Sequence, residues 1–334
     1  MGKPTYATVE QTMAATDIKR SAYLEATIRR LLSSKSRSIE ERLHRHFYPL
    51  TATREYVSPR THAPRTASST GFFLDDDLYS LTSVTVDGTA KTVADVELWP
   101  KPWGPPYSWI GVTGSEISIV GVWGFTQDTE PAGALAEALD DSETEVDVTD
   151  SSVIGIGDLL TVGTERMIVT AKGTLDTAQN LQADLTAEDN DVTVTVEDGT
   201  GYAVGEILLL DSERMKVVDI SGNDLTVRRR WDGSTIATHS GSDIYALRRL
   251  TVERAATGTT ASTHLTAAAI TRNVPPGPIT DLVIAEVINT LEQESSGYGR
   301  TVGSGENERE ARGLGLEDAR AQANRFRRER LASV

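Results

Sequence analysis

Apolar positions near the start of the chain fall at helical spacing. Leu24, Ile28, Leu31 and Leu32 occupy i, i+4, i+7 and i+8, and Ile39, Leu43 and Phe47 repeat the pattern. The spacing predicts a helical hairpin. Ser33-Ser34-Lys35-Ser36 interrupts the stripe, Ser38 with Glu41 has the form of a capping box for the second helix, and Tyr48-Pro49 ends it. From Thr53 the period becomes two, with turn residues between short alternating runs, so a small antiparallel sheet is expected. Val84 and Val86 share a face, Asp87-Gly88 is a tight-turn signal, and a further strand is expected near Val96 to Trp99. The run from Pro100 to Pro106 holds four prolines and excludes regular structure. Alternation resumes at Ile117 and Ile119 and continues through Gly121-Val122-Trp123-Gly124-Phe125. Trp123 is expected to lie buried between this sheet and a helix.

Residues 133–274 read as an inserted all-β domain with an internal duplication. Gly157 to Val169 matches Gly205 to Val217 at a constant offset of 48, including Glu165-Arg166-Met167 against Glu213-Arg214-Met215. Val146, Val148 and Asp150 recur as Val194, Val196 and Asp198 at the same offset, so the repeat spans a multi-strand unit. Two small sandwich-like or barrel-like modules are the economical interpretation, with the Glu-Arg-Met triplets as salt-bridged edges that pack methionine inside. Deletion of the insert is expected to leave a folded protein, because insertions sit between chain ends that lie close together.

After Pro275-Pro276-Gly277-Pro278 a helix is expected over 275–294, since Ile279, Leu282, Val283, Ala285, Val287, Ile288 and Leu291 cover most of its circumference. Residues 295–315 are rich in Ser, Gly and charge and read as a flexible linker. The remainder, 316–334, carries a last helix from Leu316 to about Leu331. Its stripe of Leu316, Ala319, Ala323 and Phe326 is thin, and such a helix gains little by folding back on its own domain. It is expected to dock on a partner, with Phe326 as the apolar anchor and Arg320, Arg325, Arg327, Arg328 and Arg330 as a charged rim.

The chain has 334 residues, 38% hydrophobic and 25% charged, which is the composition of a globular protein of about two domains. No apolar run approaches the ~20 residues that span a bilayer, and the first residues lack the apolar core of a signal peptide, so a soluble protein made in the cytosol is expected. Cysteine is absent, which excludes disulfides, thiolate metal sites and cysteine nucleophiles. The net charge of -16 argues against broad contact with nucleic-acid phosphates. Its distribution is uneven: residues 1–65 carry +6, residues 300–334 carry +2, and the middle carries -24.

Little in the sequence points to catalysis or to a cofactor. Of the five histidines, His44 and His46 would face opposite ways on a helix and cannot share a metal, and His62, His239 and His264 stand apart. Asp75-Asp76-Asp77 lacks the spaced ligands of a calcium loop and reads as an exposed acidic turn. The 49 carboxylates offer many pairs for glycoside hydrolysis, and no pair is singled out. Arg228-Arg229-Arg230-Trp231 has the composition of a strand- or sugar-binding surface, against which stands simple pairing with nearby acids.

The order of elements carries a resemblance. A helical hairpin ending in Phe47-Tyr48-Pro49 precedes a sheet from Leu74-Asp75-Asp76-Asp77-Leu78 to Val84-Thr85-Val86-Asp87-Gly88, and then comes Ile119 to Phe125. This resembles the head-to-tail connector (neck adaptor) proteins of tailed bacteriophages, in which a strand ending in Gly-x-Trp-Gly-aromatic leads through a proline turn into a helix. Here the turn is split between Glu130-Pro131 and Val274 to Ile279. The resemblance covers roughly residues 5–130 and 274–294, and makes 1–132 the connector core, completed by the helix at 275–294. It implies an α+β fold of a small helical bundle with an antiparallel sheet, plus the inserted two-repeat domain and a C-terminal helical tail. It also implies a structural, non-enzymatic virion protein without cofactors, placed at the neck after assembly in the host cytoplasm. Its partners would be further copies in a homo-oligomeric ring, usually of twelve, the portal protein and a tail-completion or stopper protein. Genomic DNA would pass through the channel without sequence-specific binding, and no membrane is involved. The portal is then the expected partner of the C-terminal helix. A reading of a different class is a tail or fibre module whose β-repeats bind a host-surface carbohydrate.

Overall fold

The computed structural model describes residues 2–16, 22–57, 71–295, 301–302, 309–310 and 314–328. It is a mixed α and β architecture, dominated by antiparallel sheet. Helix α1 (Val9–Thr16) starts at a reciprocal cap that the apolar periodicity does not reveal: Gln11 N donates to Thr8 Oγ1, and Thr8 N donates to Gln11 Oε1.

The expected break at Ser33–Ser36 is absent, because α2 runs unbroken from Ala22 to Leu43. Ile28, Leu32, Ser36, Ile39 and Leu43 form one buried stripe, and Ser36 fills the gap in it. Its hydroxyl accepts a hydrogen bond from Tyr6 N at 3.2 Å, so a serine that weakens a helix only slightly is held at a core position. The Ser38–Glu41 pattern therefore lies inside a helix and caps nothing. His44, at φ 54°, terminates α2.

A six-stranded antiparallel sheet follows: β1 (Leu50–Val57), β2 (Phe72–Val86), β3 (Thr89–Lys91), β4 (Glu97–Trp99), β5 (Tyr107–Gly111) and β6 (Glu116–Trp123), in the order β1-β6-β2-β5-β4 with β3 on β2. The Asp87-Gly88 turn has both residues at positive φ, as a two-residue hairpin requires. Ile117, Ile119 and Trp123 are fully buried, but among other sheet residues such as Leu78, Val84 and Ile110. Trp123 is thus enclosed by its own sheet, not by a helix. Its Nε1 donates to Ala52 O at 3.0 Å, and the Arg54 guanidinium lies 4.6 Å from its ring centroid.

The second sheet has ten strands: β7 (Thr129–Ala134), β8 (Glu145–Asp147), β9 (Leu159–Val162), β10 (Glu165–Asn180), β11 (Thr193–Thr195), β12 (Ile207–Leu210), β13 (Glu213–Ser221), β14 (Asp224–Arg228), β15 (Asp243–Glu253) and β16 (Ala269–Asn273). Two separate apolar clusters lie along it. One holds Val146, Val148, Leu160, Val162, Met167 and Val169 with Leu250 and Val252. The other holds Val194, Val196, Leu208, Leu210, Met215 and Val217 with Leu225 and Val227. Six of these pairs differ by 48, but the last two run the other way by 25. The long strands β10 and β15 pair from Ile168–Glu253 to Asn180–Asp243, with register shifts, and link the two regions.

The chain enters the second sheet after Asp128 and leaves it at Val274, whose amide donates to Asp128 O at 2.8 Å. Helix α3 (Gly277–Ser295) then packs against α1, α2 and a last helix, α4 (Leu314–Ala323), which ends in a 3-10 turn over Asn324–Phe326. Strands β17 (Thr301–Val302) and β18 (Arg309–Glu310) pair with each other. The rest of the expected linker over 295–315 falls largely outside the described residues. The helical cluster also takes in Ile156, Leu159, Ile168 and Ala256, so the ten-stranded sheet is packed onto the helices and is not an independent appendage. Among the described residues no helix is long and apolar enough to cross a membrane.

Candidate functional site

The expected docking helix folds back on its own domain. Leu316 and Ala323 are buried in the helical cluster, and Phe326 stands edge-on to Phe47 and Phe125 at centroid distances of 5.9 and 5.5 Å. Arg320 pairs with Glu286 at 3.3 Å. Arg328 N donates to Leu43 O, and its guanidinium reaches Asp77 at 3.0 Å and Leu74 O at 2.6 Å. The thin stripe suffices because α3 and the Phe47–Phe125 pair supply the missing apolar wall. Of the expected rim, Arg325 and Arg327 are exposed, and Arg330 lies outside the described residues. Phe326→Ala should therefore lower the stability of the isolated protein by roughly 2 kcal/mol, less than the ~3–5 kcal/mol of a fully enclosed phenylalanine. Urea unfolding reads this directly, and an unchanged midpoint would contradict the packing.

Two residues of the acidic triplet, Asp76 and Asp77, are equally internal, while Asp75 is exposed as the sequence suggests. Asp75-Asp76-Asp77 sits within β2, and Asp77 is buried against Arg45 at 2.7 Å as well as Arg328. Burial pushes the Asp77 carboxyl up, against the pull of the two guanidinium groups. Asp76 accepts from Arg54 at 2.5 Å and lies 3.3 Å from His46 Nδ1, while Asp75 accepts from Tyr56 Oη at 2.6 Å. The triplet thus pins the sheet to the end of α2 and to the C-terminal turn. Among the described residues no group of three or more His, Asp or Glu is placed to hold a metal ion.

Two buried polar networks match atom for atom. Arg254 Nε and Nη2 donate to the two Glu165 oxygens at 2.7 Å each; Arg229 does the same to Glu213 at 2.8 and 2.7 Å. Glu165 also accepts from the Ala255 and Ser262 amides, as Glu213 does from those of Arg230 and Ala237. His264 Nε2 lies 2.9 Å from Glu165, and His239 Nε2 lies 3.1 Å from Glu213. The Glu-Arg-Met triplets do pack their methionines inside, but each glutamate pairs with a distant arginine and not with its neighbour. The signal was present as Leu225-Thr226-Val227 with Arg229, Gly233, Ser234 and His239, which recurs as Leu250-Thr251-Val252 with Arg254, Gly258, Thr259 and His264. A search at the single offset of 48 misses it.

Burial raises each glutamate, but the arginine, histidine and amide hydrogen bonds outweigh it and hold both at about 2, against an ordinary value of 4.5. A depressed carboxylate contributes stability that is complete above its unfolded value and is lost as the pH falls through the folded one. The melting temperature should therefore fall steadily from about pH 5 towards pH 2. Glu213→Gln should flatten that acid limb while lowering stability at neutral pH, and an unaltered acid limb would remove Glu213 from it.

Arg166 and Arg214 occupy matched places but do different things. Arg166 donates to Pro49 O, Thr51 Oγ1 and Thr257, which fastens the ten-stranded sheet to the start of β1. Gly258, at φ 80°, lets that turn approach Thr51 O where any side chain would collide. Arg214 instead pairs with Asp232 at 3.1 Å.

Two surfaces remain open. Phe73, Trp109 and Trp99 are directly opposite one another across β2, β5 and β4, which places three aromatic side chains on one face. Trp109 lies over Gly71 and Gly111, Phe73 is 65% exposed, and Trp103 in the adjoining proline-rich loop is 82% exposed. The second surface is a cleft of about 820 Å³ between α1, the 151–155 loop and the Arg228–Gly233 segment. Compared with known proteins, the chain matches no family model, no curated protein and no solved structure.

Proposed function

We propose that this chain is a structural protein of the neck of a tailed bacteriophage: one subunit of a ring that joins the portal to the tail-completion or stopper proteins and surrounds the DNA channel. The observation that carries the reading is the hydrogen bond between Val274 N and Asp128 O. The resemblance requires a Gly-x-Trp-Gly-aromatic strand that runs through a proline turn into a helix. With 129–273 bridged, Trp123-Gly124-Phe125 leads to Asp128, then to Val274-Pro275-Pro276 and α3, as one continuous path. On this reading the connector-like core is 1–128 with α3, and the expected boundary at 132 moves back because β7 belongs to the larger sheet.

The intervening region is a duplicated unit in which one copy is nested within the other. Ser221 and Asp224 flank the two-residue turn of the β13–β14 hairpin; their counterparts Gly173 and Arg249 are likewise paired, and everything between them forms the second copy. In the same way Asp128 and Val274, which flank the whole region, are hydrogen-bonded to each other.

The aromatic row of Phe73, Trp109 and Trp99 supports an assembly role, since exposed apolar patches of this kind mark interaction sites. The acidic middle suits a channel that lets DNA pass without gripping it. Co-purification with the portal protein from the same source tests the reading: the chain should co-elute with it, and Trp99→Ala with Trp103→Ala should weaken an assembly contact while leaving the melting temperature unchanged. Affinity for a host glycan together with indifference to the portal would favour an adhesin instead.

A further inference from the structure

The cleft beside α1 holds a charge arrangement that folding alone does not explain. Lys216 and Arg228 are directly opposite each other on β13 and β14. Like charges in that position repel and destabilise the pair. Both stack on Trp231, with Lys216 Nζ 4.8 Å and Arg228 Cζ 5.3 Å from the ring centroid, and among the described residues neither has a carboxylate partner. The neighbouring charges are already committed, except at Glu10 Oε1, which is buried without a hydrogen-bond partner among the described residues. Arg229 is bound to Glu213, Arg230 to Asp189, Asp232 to Arg214, Arg272 to Glu130 and Asp158, and the Glu10 Oε2 atom accepts from Ile156 N. Lys172, which also lines the cleft, donates to the Ser151 and Ile154 carbonyls.

The matched positions in the other β-unit show what this face does. There Lys216, Arg228 and Trp231 correspond to Ile168, Glu253 and Ala256. Ile168 and Ala256 are buried in the helical cluster, and Glu253 accepts a hydrogen bond from Gly2 N at 2.6 Å. The face is a docking face, used by one unit against its own helices and left open in the other, where it is cationic and aromatic. The cleft continues that established interface along α1.

We propose that the cleft receives the acidic loop at 137–145 of a neighbouring copy of this chain. Glu137, Asp141 and Glu145 are exposed there, while Asp140 closes the loop by accepting from the Ser142 and Glu143 amides. Both surfaces belong to one chain and differ from each other, which is what the head-to-tail contact of a closed ring needs. A second copy is favoured over nucleic acid because the positive wall is one small patch on a chain of net charge -16, which matches a short acidic loop and not the long run of phosphates that a nucleic acid presents. The inference rests on the ring reading above.

The test compares the assembly mass of the full chain with that of Lys216→Glu plus Arg228→Glu, and with the fourfold variant that adds Asp141→Lys and Glu145→Lys. Binding of a synthetic 136–146 peptide and of a single-stranded oligonucleotide is measured alongside. The double variant should assemble at least about tenfold more weakly with an unchanged melting temperature, and the fourfold charge swap should restore assembly. Assembly of the double variant at wild-type strength overturns the proposal. So does an oligonucleotide affinity that depends on Lys216 and Arg228 while assembly does not. If the wild-type chain stays a single protomer, the ring reading fails separately. The peptide then decides: binding to wild type that is lost in the double variant supports the cleft, and equal binding to both overturns it.

Discussion

Replacing residues 174–248 with a two-residue Gly-Asn turn will leave a protein that unfolds in one cooperative transition, whereas removal of 129–273 will not. Gly173 and Arg249 are already cross-strand neighbours, and at the matched place Ser221 and Asp224 are joined by Gly222-Asn223, with Gly222 at φ 61°. Closing so short a loop costs little chain entropy. The excised stretch takes the Leu208–Met215 cluster with it and leaves the Leu160–Met167 cluster whole. The larger deletion strips Ile156, Leu159, Ile168 and Ala256 from the helical cluster, at about 1.5–3 kcal/mol for each large side chain, and removes Arg166 from Pro49 and Thr51. Against a total stability of about 5–15 kcal/mol, that loss takes away the cooperative transition. The simple excision of the whole insert expected from sequence is therefore replaced by excision of its inner part. Calorimetry of both deletions checks the pair, and a sharp transition in the larger deletion would show that the helices hold together without the β-region.

Arg229→Met and Arg254→Met should each destabilise the protein by about 3–5 kcal/mol, because a buried carboxylate is left facing only a histidine and two amides. The double replacement Glu213→Gln with Arg229→Met should cost less than Arg229→Met alone, since no uncompensated charge remains. Urea denaturation of the three variants measures this. A loss under about 1 kcal/mol for either arginine would mean that water reaches the glutamate and that the networks do not organise their units.

Much of the β-structure was legible, because alternation, Asp87-Gly88 and the offset of 48 report local geometry directly. The helix α3 was equally plain from its apolar circumference. What escaped were features set by tertiary contacts. Ser36 continues α2 because Tyr6 N supplies its partner, and no periodicity of apolar residues records that. Asp75-Asp76-Asp77 looks like a solvated turn until Arg45, Arg54 and Arg328 arrive from three separate segments. The thin stripe of α4 looked unable to fold back because its receiving aromatic pair, Phe47 and Phe125, lies at least 200 residues away in sequence. The second half of the sequence match was hidden because its offset changes from 48 to 25 between the paired positions Gly173–Arg249 and Ser221–Asp224. The arginine and histidine partners of the buried glutamates lie beyond that change, and the cationic wall of Lys216, Arg228 and Trp231 emerges only once the two units are matched position by position.

The measurement that bears most directly on the proposed neck-ring function is the mass of the purified protein, alone and mixed with the portal protein from the same source. A subunit of a neck ring gives a single high-order multiple of the protomer mass, or gains one when the portal is added, and the two proteins migrate together. A single protomer or a trimer that ignores the portal under all conditions would contradict that function.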